Sequence, residues 1–110
     1  MSDTDDMPIS EQYRIVAKKH VEAAAVAMLL EETKSSVLQT WAQDLVQQEG
    51  LTGAEGERRV KASKKWKEHI ESIVEARKKE LLLRAQIEYI KMRFAEQQSD
   101  NANKRAEMRL

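Results

Sequence analysis

One stretch of the chain carries the residue types that hold phosphates. Residues 58–67 read RRVKASKKWK, with Arg58, Arg59, Lys61, Lys64, Lys65 and Lys67, no acid among them, and Trp66 between two lysines. Several cations along one line neutralise a phosphodiester backbone, and each contact releases condensed counterions. An aromatic among the cations offers a face to an unstacked base, which favours single strands over duplex. The segment is therefore the expected surface for non-specific binding of single-stranded DNA. The same residues admit a blander reading, in which the cations form the solvated face of a long helix and pair with acids elsewhere. Trp66 would then sit in a core or an interface.

The charge balance sharpens the choice. The chain has 19 basic and 19 acidic side chains, a net charge of zero. Residues 1–56 hold ten acids against four bases (Arg14, Lys18, Lys19 and Lys34), and residues 57–110 hold nine acids against fifteen bases. The halves thus carry −6 and +6. A second basic group, Arg77-Lys78-Lys79, follows the first, and Lys104, Arg105 and Arg109 add a third.

Little else in the chain suggests chemistry. His20 and His69 stand outside HExxH or any other ligand spacing, and with no cysteine there is neither a thiol nucleophile nor a Cys-based metal site. Gly50, Gly53 and Gly56 lack the Lys-Ser/Thr and the preceding strand of a phosphate loop, and read as turn and cap residues. The expectation is a protein that is not an enzyme and takes no metal or cofactor.

These residues must be positioned by helices. Among 110 residues there are three Gly and one Pro, too few for the turns of a β-rich fold. The remainder is rich in Ala, Glu, Lys, Arg, Gln and Leu, the strong helix formers. Ser10 is the expected N-cap of a first helix, with Glu11 in its first turn, and the pattern runs unbroken over residues 10–48. Gly50 suits the position just past a helix end. Thr52-Gly53-Ala54-Glu55 has the spacing of a capping box, which starts a second helix running to residue 98. So short a connection, near residues 49–54, makes the two helices antiparallel. Keeping pace from that connection, His20 falls opposite about position 81 and His69 opposite about position 32. Residues 1–9 read as a flexible acidic arm, residues 10–98 as one hairpin domain, and residues 99–110 as a basic tail.

The fold class expected is all-α, a long antiparallel two-helix hairpin assembling into an oligomeric, coiled-coil-like bundle. Leu83, Ile87, Ile90 and Phe94 make a helical stripe, and Leu82, Tyr89 and Met92 lie at other angles around the same helix. One partner helix covers one stripe, and a lone hairpin encloses no core. The stripe Leu83, Ile87, Ile90 and Phe94 is the expected self-association surface. No run approaches the roughly 18 apolar residues of a membrane span, and the acidic start is unlike a secretory signal. The expected location is the cytoplasm, that of the host cell if the gene belongs to a phage.

Residues 64–94, KKWKEHIESIVEARKKELLLRAQIEYIKMRF, resemble the central helix of the UvsY-type recombination mediators of T-even phages. In both, a Lys-Trp stretch leads into a long helix of alternating Lys/Arg, Glu and Leu/Ile/Ala. The whole chain is similar to small phage and prophage proteins encoded beside recombination genes. The pieces that carry this are Glu31-Glu32-Thr33-Lys34-Ser35, the GLTGAEGE turn, residues 66–76, and the ending Arg105-Ala106-Glu107-Met108-Arg109-Leu110. The resemblance implies an accessory factor in recombination or replication that oligomerises, binds single-stranded DNA, and helps load or exchange a recombinase or single-strand-binding protein. The alternative from the residues is a protein-interaction adaptor or inhibitor, a helical bundle with no nucleic-acid role.

Overall fold

A computed structural model of the chain describes residues 7–109; the expected acidic arm falls largely on residues 1–6, outside the described residues. All secondary structure among the described residues is helical, in three elements: α1 (Ile9–Glu49), α2 (Gly53–Ala62) and α3 (Lys64–Met108).

The start of α1 lies ahead of the expected cap. The Pro8 carbonyl accepts from the N–H groups of Glu11 and Gln12, both at 3.0 Å, which places Ser10 inside the first turn. Proline suits this end of a helix because its missing N–H has no helical partner to lose. The Gln12 side-chain amide donates to Met7 O at 2.8 Å and ties the residue before Pro8 to the first turn. At the far end Gly50 takes φ +67° and its N–H bonds Val46 O at 3.0 Å, the left-handed termination glycine permits. The capping box follows: Thr52 Oγ1 accepts from Glu55 N at 3.2 Å, and Glu55 Oε2 accepts from Thr52 N at 3.4 Å.

The second predicted helix is two helices. Ser63 is extended (φ −80°, ψ 151°) and separates α2 from α3. Its hydroxyl donates to Val60 O at 2.6 Å and accepts from Trp66 N at 3.1 Å, closing one helix and capping the next. Packing explains the break. Trp66 and Ile73 are buried one heptad apart on α3, and an unbroken helix carried back by the same step would turn Arg59 inward. Instead Gly56 and Val60 are buried and Arg59 is exposed, so the extended residue resets the phase.

The predicted stop at residues 99–101 is also absent. Ser, Asp and Asn are only weak breakers without Gly or Pro beside them, and α3 continues through them to Met108, exposed throughout.

The chain divides into two compact units: Ala23–Lys79, and the described residues up to Glu22 together with those from Glu80 onward. In the first, Ala42, Val60 and Trp66 form a buried cluster, with Val37, Leu38, Trp41, Leu45 and Ile70 packed on it. Glu31–Arg77 (3.7 Å) and Glu49–Arg59 pair in antiparallel order. In the second, Val16 and Ile90 are buried, and Gln12–Arg93 (3.3 Å) and His20–Glu80 (3.1 Å) again run antiparallel.

Candidate interaction surfaces

The basic segment spans α2, Ser63 and the start of α3, and most of its cations have companions. Arg59 bonds Glu49, Lys61 lies 3.1 Å from Glu57, and Lys64 lies 3.9 Å from Glu68. Lys65 Nζ sits 4.0 Å above the Trp41 ring, a cation–π contact. Arg58 and Lys67 have no carboxylate within ion-pair distance among the described residues. The ion pairs are exposed on both sides, and such pairs hold with at most about 1 kcal/mol, so an anionic ligand can compete for these cations.

Trp66 does not share that surface. It is 8% exposed and meets Trp41 edge-on, with ring centroids 6.0 Å apart at 83°. His69 completes the group, 5.5 Å from Trp41 and 5.6 Å from Trp66, with its Nε2 buried and without a hydrogen-bond partner among the described residues. The aromatic face that meets a cation belongs to Trp41, which the charge run did not single out. His69 meets Trp41, not position 32, for a geometric reason. Long side chains lean toward their own helix N-terminus, which lets His69 and Trp41 meet beyond the register of their backbones, whereas His20 meets Glu80 within one residue of the expected position 81. Gly56, with no side chain, keeps the expected register against Ala42 and Val46.

In the unit containing Glu80, the stripe expected to carry self-association lies mostly inside the chain's own pairing. Ile90 is 5% exposed, Leu83 and Ile87 are half-buried, and Phe94 is half open, over a shallow apolar groove with Ile9 and Tyr13. Glu80 belongs to the same seam, buried, with its carboxylate bonded by Arg84 and by His20 Nε2. Leu82, Tyr89 and Met92, each about 60% exposed, lie uncovered on the opposite side of α3, and Val21, Leu81 and Met108 are exposed in the same unit. The other unit leaves Val26, Met28, Leu29 and Val74 exposed. At the start of α1, the hydrogen bond from Arg14 holds the Glu11 carboxyl below its usual range, and the same bond raises Arg14.

Among the described residues no three His, Cys, Asp or Glu side chains converge to hold a metal ion, and no helix is long and apolar enough to cross a membrane. No protein family, curated protein or solved structure gives a significant match to the chain.

Proposed function

We propose that the chain is a non-catalytic interaction protein that works through helix-to-helix assembly. The observation that carries this reading is the outer face of α3, where Leu82, Tyr89 and Met92 stay in water although the inner face is already used. Exposed apolar patches of this kind mark protein contacts. Light scattering on the purified chain tests it. A mass above that of one chain, or a stable complex with a partner protein blocked by Leu82→Glu with Tyr89→Glu, is the expected result. A monomer with no such complex would remove the reading.

A second reading has its own support. Among the described residues Arg58 and Lys67 have no carboxylate within ion-pair distance, and the neighbouring ion pairs are exposed, which supports residues 58–67 as a surface for single-stranded DNA, as in a recombination or replication accessory factor working alongside a recombinase or single-strand-binding protein. Anisotropy of a labelled oligonucleotide at about 50 and 200 mM salt separates the readings, because several phosphate contacts make binding fall by tens-fold or more over that range. Replacement of Lys64, Lys65 and Lys67 by Ala flattens that slope on this reading and leaves the oligomeric state alone. Stacking on Trp66 is testable in the same titration. With Trp41→Phe leaving Trp66 as the sole tryptophan, emission stays constant if the ring remains in the core.

A further inference from the structure

The inner and outer faces of α3 repeat one another. Glu80, Leu83, Ile87 and Ile90 face inward at steps of three, four and three residues. Leu82, Ala85, Tyr89 and Met92 repeat the same steps two residues further on, which is about 200° around a helix. The outer set is thus a second coiled-coil seam, and all four of its residues are exposed.

That seam is its own complement. Its spacing reads the same in both directions, so a second copy laid antiparallel places Leu82 against Met92 and the small Ala85 against the large Tyr89. Two-fold contacts require this reciprocity, in which residue i meets j and j meets i. The charges in line with the seam favour it: in the same register Lys78, four residues before Leu82, falls opposite Glu96, four residues after Met92.

We infer that the occupant of the outer face of α3 is a second copy of this chain, packed antiparallel about a two-fold axis between Ala85 and Tyr89. This rests on the interaction reading above and gives it a partner and a register.

Cysteine cross-linking tests the register directly, since the chain has no cysteine of its own. Leu82→Cys and Met92→Cys are made in separate chains; both positions are exposed, so both variants fold. Oxidation of the mixture gives a disulfide-linked dimer of unlike chains, while either variant alone gives little. Self-linking by Leu82→Cys alone would mean a parallel pairing and overturn the proposal. Absence of any cross-link in the mixture also overturns it. Light scattering on the unmodified chain then tells the two failures apart: an oligomer without the cross-link keeps the interaction reading and moves the contact elsewhere, and a monomer without a partner removes both. Met28→Glu with Leu29→Glu, on the exposed face of α1, leaves the cross-link intact; its loss would place the contact on α1 instead.

Discussion

His20 Nε2 stands 3.1 Å from Glu80 Oε1, where α1 and α3 pair, and the Glu80 side chain is only 4% exposed. Where Glu80 is ionised its carboxylate can only accept, and the contact then uses the imidazole proton on Nε2. Arg84 binds the same oxygen from one turn further along α3. Removing His20 leaves Glu80 with Arg84 but takes one hydrogen bond from a buried polar group, at a cost of about 1–3 kcal/mol, whereas replacing buried polar partners by apolar side chains of similar size is often neutral or stabilising. His20→Ala is therefore expected to lower the free energy of unfolding clearly, and His20→Leu with Glu80→Leu to restore it. Denaturant unfolding at fixed protein concentration measures both. A double variant weaker than His20→Ala would show that the polar group contributes net stability.

The three glycines predict three different outcomes on replacement by alanine. A Cβ on Gly56 would lie 2.9 Å from the Ala42 carbonyl oxygen and 3.1 Å from Val46 Cγ2, so α2 must move off α1. Overpacking of this kind costs about 1–3 kcal/mol. Gly50, at φ +67°, meets no atom within 4 Å, but alanine there loses about 1–2 kcal/mol to left-handed strain. Gly53 is helical and open, so alanine gains up to about 1 kcal/mol by restricting the unfolded chain. Midpoints of thermal unfolding should rank Gly53→Ala above the parent and both other variants below it. A stabilising Gly56→Ala would mean that the close approach of α2 to α1 is absent.

What was legible in the sequence is what local chemistry dictates. The all-α class, the left-handed Gly50, the Thr52–Glu55 capping box and the antiparallel order all follow from composition and cap spacing. What was not legible depends on which face a helix turns inward. Gly56 reads as a turn residue among turn residues, and only the nearness of Ala42 makes it a packing residue. Leu83, Ile87 and Ile90 are a clean stripe in either case; sequence shows that α3 has two apolar faces but not which one α1 takes. Trp66 stands among cations in sequence while its ring sits against Trp41. The signal for that contact was present in the N-terminal lean of long side chains, which brings Trp41 and Trp66 together across the hairpin.

Ser63 is the least conspicuous of these residues and the most open to test. No Gly or Pro marks the break, and the reason for it is the phase of the buried residues on either side. Ser63→Ala removes the hydroxyl that accepts from Trp66 N and donates to Val60 O, a loss of about 1 kcal/mol for an N-cap. Ser63→Asp keeps an acceptor for Trp66 N and should recover much of that loss. If packing phase holds the break, neither change fuses α2 with α3, because a continuous helix would expose Trp66 or bury Arg59. Tryptophan emission in Ser63→Ala should therefore keep the parent's maximum while the unfolding midpoint falls. A red-shifted maximum with a gain in helicity would mean that the hydroxyl alone, and not the packing of Val60 and Trp66, separates the two helices.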